Sequence, residues 1–166
     1  MSRTPAESTS SQPSAQKSIP LFLDKEGKWF HEGIQITHVR TVELFSRSLV
    51  KETDGGYSIK IGSEYSRVQV EDTPYMVTSL TVQHGETGKP CEYLLRLNDG
   101  RKEFLDPGTL TTNSDNVMYC RVRNGTEKAR FLRPAYYDFC SHIEVDEKGI
   151  IYWLPWRGRR FHLECL

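Results

Sequence analysis

Two stretches of this chain can be laid over one another, and that correspondence restricts the possible folds more than any other feature. At one common separation, Phe45 falls on Phe139, Leu49 on Ile143 and Gly55 on Gly149. After one residue of slippage Arg67 meets Arg160, Val68 meets Phe161, Val70 meets Leu163 and Glu71 meets Glu164, and upstream Val39-Arg40 sits on Leu132-Arg133. Self-similarity at a fixed period marks a repeated supersecondary unit. The repeated order is helix, glycine turn, strand, bend, strand. The expected fold class is therefore α+β, an internal duplication of helix-plus-antiparallel-sheet units, each helix covering one face of its own sheet. The expected division is a disordered tail at 1–17, an N-terminal unit at 18–84 and a C-terminal unit at 85–166. A groove between two like units is a natural place for a ligand.

Local patterning supplies the pieces. Residues 1–17 are mostly Ser, Thr, Pro, Gln and Ala and hold too little apolar surface to offset the entropy of ordering. A turn around Gly27 precedes Trp29-Phe30, and Gly33 precedes the alternating Ile34-Gln35-Ile36. Val39, Val42, Phe45 and Leu49 recur at helical steps, which predicts a helix from about Thr41 to Val50. Asp54-Gly55-Gly56 is a turn, and the strands 57–61 and 66–70 follow with period two. Strands are also predicted at 75–83, 93–97, 117–122, 128–132, 150–154 and 159–163. Asn124-Gly125 sets a tight hairpin, and Pro134 opens a helix whose apolar face is Tyr136, Phe139, Cys140 and Ile143.

Composition narrows the chemistry. Lys+Arg and Asp+Glu are both 22, so the formal charge is zero, which argues against a protein that binds polyanions over its whole surface. No run is long and apolar enough to span a bilayer, and the first 17 residues lack the apolar core of a secretory signal, so the expectation is a cytoplasmic protein without membrane insertion. Cys91, Cys120, Cys140 and Cys165 form no Cys-x-x-Cys knuckle and read as small hydrophobes. The five histidines make no paired metal motif. Neither a nucleophile elbow nor a phosphate-cradling glycine loop is present, so no metal, cofactor or catalytic residue is expected. Glu71 and Asp72 are adjacent carboxylates, but strand neighbours point to opposite faces. A turn role before Pro74, with Asp72 bonding the backbone locally, suits them better.

The most unusual run is Trp153-Leu-Pro-Trp156-Arg157-Gly-Arg159-Arg160-Phe161. Arginines interleaved with aromatics stack on bases while pairing with phosphates. The plain alternative is a hairpin with core tryptophans and solvated arginines. With a groove between units in mind, the candidate binding residues are Arg157, Arg159 and Arg160 for charge and Trp29 and Trp156 for stacking. Arg40 and Arg133, each beside a predicted helix start, are candidates to face the junction.

In their order along the chain, these pieces resemble an uncharacterised bacterial family, domain of unknown function 1285. The resemblance runs from about Pro20 to Leu163. It includes Asp24…Gly27-Lys-Trp29-Phe30…Gly33-Ile34, Val68-Gln-Val70-Glu71-Asp72-Thr-Pro74-Tyr75, Val122-Arg123-Asn-Gly125…Lys128-Ala129…Arg133-Pro134, and Gly158…Phe161-His-Leu163. It implies a duplicated α+β protein whose C-terminal half is pleckstrin-homology-like, with a groove between halves and a connection to signalling. One departure is Pro155-Trp156-Arg157, bulky and charged where the family has a small glycine-rich turn. The functional expectation is a non-enzymatic ligand-binding or regulatory module, its site between the halves holding a nucleic acid or phosphorylated ligand. The alternatives are a protein-interaction scaffold that uses a sheet edge or groove and, in third place, an enzyme of unfamiliar type, which would need a pocket that brings a histidine and a carboxylate within hydrogen-bond reach.

Overall fold

The computed structural model describes residues 20–86 and 88–164; the expected tail and Cys165 lie outside the described residues. The chain is mostly β. Its first strands, β1 (Leu21–Leu23), β2 (Trp29–His31) and β3 (Ile34–Ile36), form an antiparallel meander turned by Gly27 and Gly33. Helix α1 (Val39–Arg47) follows, and then a second meander, β4 (Leu49–Lys51), β5 (Tyr57–Ile61) and β6 (Glu64–Val70). The two meanders become one six-stranded sheet because the first strand pairs in parallel with the last. Leu21 lies opposite Val68 and Leu23 opposite Val70, giving the order β3-β2-β1-β6-β5-β4.

The same plan then recurs. Strands β7 (Tyr75–His84), β8 (Pro90–Leu97) and β9 (Lys102–Phe104) make a meander, a 3-10 turn at Pro107–Thr109 crosses over, and β10 (Thr111–Thr112), β11 (Met118–Val122) and β12 (Glu127–Phe131) make another. The parallel closure is again first strand to last, with Tyr75 opposite Ala129 and Val77 opposite Phe131, in the order β10-β11-β12-β7-β8-β9. After the second sheet is complete come α2 (Arg133–Cys140) and a separate three-stranded sheet, β13 (Glu144–Val145), β14 (Tyr152–Trp156) and β15 (Arg159–His162).

This overturns the expected fold class. The structure is not α+β with helix-plus-sheet units, and its C-terminal half is an open six-stranded sheet, not a pleckstrin-homology-like barrel. The two similar bodies are the six-stranded sheets, so Leu21 and Leu23 correspond to Tyr75 and Val77, not to residues some ninety positions on. The correspondence in the sequence registered something narrower: α1 and α2 are each followed by three antiparallel strands. One trio completes the first sheet, whereas the other stands as its own sheet, so the two helices sit in unlike surroundings. Helix α1 also ends earlier than predicted. Ser48 caps it, and Leu49 and Val50 leave to pair with Ile59 and Ser58. The residues that divide the two sheets are 71–74, and position 84 falls at the end of β7, inside the β7–β8 hairpin.

Two cores result. In the first, Leu21, Leu23, Trp29, Leu49, Ile59 and Val68 line one sheet face, and Phe45 of α1 meets the Trp29 ring edge-on at 5.4 Å. The indole Nε1–H donates to the buried Ser46 Oγ at 3.2 Å. In the second, Val77, Tyr93, Leu95, Cys120, Ala129 and Phe131 are covered by Ala135 and Phe139 of α2 and by Leu154 and Leu163 of the last strands. One side chain crosses between the cores. Met76, at the start of β7, is fully buried in the first core. Gly27, with φ +80°, leaves room for it: a Cβ there would stand 3.4 Å from the Met76 Sδ. Asn98 fixes the Met76 backbone, accepting from its N–H at 3.1 Å and donating from its own N–H to the Met76 carbonyl at 3.0 Å.

Removing the Met76 side chain therefore opens a cavity at the junction. Met76→Ala is expected to lower stability by about 2–4 kcal/mol, and urea unfolding monitored by tryptophan fluorescence measures it. A loss below about 0.5 kcal/mol would mean that the junction does not depend on this side chain.

Candidate functional site

The sheets meet along a seam whose polar groups are mostly paired. Glu127, only 8% exposed, accepts from Lys51 Nζ at 3.0 Å and from the Tyr57 hydroxyl at 2.7 Å, joining β12 to β4 and β5. Asp72 accepts from the Tyr119 hydroxyl and from Arg130 Nη1, both at 2.9 Å, and Arg130 also lies 3.9 Å from Glu26. The Asp72 contacts are long-range ones to the second sheet, not the local backbone cap its sequence suggested. The Arg47 side chain donates to the Asp99 carbonyl at 3.1 Å, while the buried Asp99 carboxylate lies 3.6 Å from both Arg101 and Arg123. Arg123, with φ +57° in the turn before β12, lays its guanidinium 5.3 Å from the Tyr75 ring centre.

On one side of this seam is a groove of about 340 Å³. Its walls are Lys51, the Gly55-Gly56 turn and Tyr57 from the first sheet, and Arg121, Thr126, Glu127 and Lys128 from the second. Glu127 and Asp72, the carboxylates of this groove, are committed to the partners just named. Arg121 and Lys128 differ: they are directly opposite each other on β11 and β12, and neither has an ion-pair partner among the described residues. Like charges opposed across strands destabilise a sheet. The Lys128 ammonium is held over the Tyr119 ring at 3.6 Å, which fixes its position without neutralising it. The groove thus presents two uncompensated cations beside a glycine turn.

Two other concavities lie nearby. One of about 390 Å³ is bounded by Glu26, Asn116, Arg130, Arg133, Tyr136 and Tyr137. Another, of about 770 Å³, is an apolar cup on the first sheet lined by Leu21, Ile36, Phe45, Ile59, Ile61 and Tyr65, with His31 and Glu64 at its rim. Among the described residues no cluster of three or more His, Cys, Asp or Glu side chains is placed to hold a metal. Burial pushes the Cys120 thiol up to about 12, far from the range in which a thiolate attacks.

The seven residues chosen from sequence are spread over three regions. Trp29 is fully buried in the first core, so its ring is a packing element. Arg40 is exposed on α1, and Arg133, exposed at the start of α2, lines the 390 Å³ groove. The remaining four belong to the β14–β15 hairpin, which covers the far face of the second sheet. Arg157 and Gly158 form its two-residue turn with φ +47° and +73°, the left-handed pair such a turn requires. Arg157 is held there by Glu92 at 2.8 Å, by its N–H on the Cys91 carbonyl, and by the Trp156 ring at 4.7 Å. Arg160 pairs with Glu144 at 2.8 Å, leaving Arg159 exposed without an ion pair among the described residues. Arg121 and Lys128 were passed over, although the sequence contained their signal. An Asn124-Gly125 hairpin places Val122 opposite Glu127 and Arg121 opposite Lys128.

Comparison with known proteins agrees with this layout. Residues 8–73 match the family model described as the N-terminal domain of domain of unknown function DUF1285. The fold is shared with a DUF1285 family protein from Silicibacter pomeroyi DSS-3, at TM-score 0.67 and 20% identity over 90% of this chain and 81% of that one. It is also shared with one from Shewanella baltica OS155, at TM-score 0.56 and 21% identity over 75% and 93% of the two chains. No curated protein matches the chain. No helix among the described residues is long and apolar enough to cross a membrane.

The seam also sets an alkaline limit. Burial, and then the bond to Glu127, push the Tyr57 phenol well above its ordinary 10.0; burial, followed by the Glu144 charge, raises Tyr93 to about 12, and Tyr75 is raised chiefly by burial. A folded-state value above the unfolded one means that this stabilisation is complete below pH 10 and is lost as the pH climbs through the folded values. Urea unfolding across that range should show stability falling above pH 10, and falling less steeply in Tyr57→Phe. Equal slopes in the two proteins would remove Tyr57 from the account.

Proposed function

We propose that this chain, whose residues 8–73 match the N-terminal domain of the DUF1285 family, is a non-enzymatic binding module whose anionic ligand sits at the seam between the two six-stranded sheets. The observation that supports the reading is the opposed, unneutralised pair Arg121 and Lys128 at the mouth of the seam groove. A sheet gains nothing from two facing cations, and a phosphate oxygen between them would turn that repulsion into charge-assisted hydrogen bonds. Lys51 already stands at the opposite wall, and the Gly55-Gly56 turn lets the ligand approach the backbone closely. A groove of this size suits a phosphorylated small molecule or one phosphate unit of a longer chain. Arg133, at the neighbouring concavity, adds positive potential at the same junction.

The apolar cup on the first sheet supports a second reading. Tyr65 of its lining is half exposed and Ile34, opposite His31 of the rim, is exposed as well, and such a surface fits the apolar side chains of a partner segment. On that reading Phe45→Ser or Ile61→Ser abolishes the interaction, while charge reversal at Arg121 leaves it intact.

Calorimetric titration with inorganic pyrophosphate tests the first reading. Binding is expected to weaken as salt rises, and Arg121→Gln or Lys128→Gln should each reduce affinity roughly tenfold, the loss of one charge-assisted bond. An unchanged affinity in both variants, or binding indifferent to salt, would remove the groove as the site.

A further inference from the structure

Among the described residues β15 is paired along one edge only, with β14, and no strand lies along its other edge. The register shows which of its backbone groups are spare. Leu163 donates to the Tyr152 carbonyl at 2.9 Å, so the residues bonded to β14 are the alternate ones, Phe161 and Arg159. Arg160 lies opposite Pro155, which has no N–H to give. The N–H and C=O groups of Arg160 and His162 therefore point away from β14, and among the described residues no backbone group meets them. At four residues β15 is also longer than the other edge strands, β3, β4, β9, β10 and β13, which have two or three. Such an edge is a template for another strand.

A groove of about 410 Å³ runs along this free edge, between Phe161 and Leu163 on one side and Pro107 and Leu110 of the crossover on the other. Phe161 and Leu163 pack toward the second core, whereas Arg160 and His162 are exposed on the outer face. A segment laid along β15 alternates in the same way, with every second side chain entering the groove. The charges beside it are unbalanced at one end. Arg159 is exposed without an ion-pair partner among the described residues, and the Arg160 side chain stays 68% exposed although it reaches Glu144. A second copy of this chain fits less well than a single segment. Residues opposed across a strand pair face the same side, so a copy joined through β15 would bring its own covered sheet to where Pro107 and Leu110 stand.

We propose that the free edge of β15 is a strand-addition site for an extended acidic segment of a protein partner. The segment bonds to the backbone of Arg160 and His162, seats an apolar side chain against Leu110, Phe161 and Leu163, and sets a carboxylate beside Arg159. Backbone bonds supply the affinity of such a contact, and the side-chain pockets supply its selectivity. Its residues are separate from those of the seam groove, so the site stands or falls independently of the anion reading.

The test is fluorescence anisotropy of a labelled, end-blocked peptide of alternating valine and threonine with aspartates at one end, titrated with the full chain. Binding is expected, together with slowed amide exchange at Arg160 and His162 measured by NMR. Replacing the aspartates by lysines, or N-methylating the peptide backbone, should weaken it about tenfold. Arg160→Pro removes one outward N–H, a change that an edge strand tolerates, and should lower affinity about five- to tenfold. Arg160→Gln keeps that N–H and should bind more tightly than the proline variant. No binding of the aspartate peptide, equal affinity for the lysine peptide, or binding that leaves the two amides unprotected overturns the site. So does protection of those amides that rises with protein concentration when no peptide is present, which would give the edge to a second copy.

Discussion

Each sheet in this protein exists because its first strand finds its last. Each half of either sheet is a three-stranded antiparallel meander. The parallel pairing of β1 with β6 places Leu21 and Leu23 beside Val68 and Val70, and that of β7 with β12 places Tyr75 and Val77 beside Ala129 and Phe131. Two half-faces thereby become one continuous apolar surface. Parallel neighbours cannot be joined by a tight turn, so the chain must carry a crossover. In the first sheet that crossover is α1, which also roofs the core; in the second it is only the 3-10 turn at Pro107–Thr109, and the roof is supplied later by α2 and the last three strands.

That difference decides which faces remain open. The second sheet is covered on the face of Tyr93, Leu95 and Phe131, and at its lower end the start of β7 inserts Met76 into the first core. On the opposite face Met76 and Leu132 belong to the first core, and to either side of them Arg96, Lys102, Arg121 and Lys128 are exposed. A formal charge of zero conceals this arrangement. Several acids are held in specific pairs, Glu127 with Lys51, Asp72 with Arg130, Glu92 with Arg157 and Glu144 with Arg160, while Arg96, Lys102, Arg121 and Lys128 have no ion-pair partner among the described residues. The arginine-rich hairpin is the reverse case: conspicuous in sequence, it spends Arg157 and Arg160 on holding the C-terminal strands in place.

What the sequence by itself determined was local. Period-two runs located β5 and β6, turn signals located β7, β8, β11, β12, β14 and β15 to within a few residues, and Pro134 marked the entry to α2, because alternation, turn chemistry and fixed φ act over a handful of neighbours. The Asn124-Gly125 turn even fixed the register that opposes Arg121 to Lys128. What only the tertiary structure decided was which strands pair beyond their hairpins. The helix-then-strands pattern is the same after Val39 and after Arg133, yet one trio joins β1 and the other stays apart. Pairing between β1 and β6 depends on two apolar faces being completed in space, and no local period encodes that. Trp29 shows the same boundary from the side of the site. An aromatic just after a turn suits a stacking platform or a core equally well, and only the closing of the first sheet under Phe45 and Ser46 made it core.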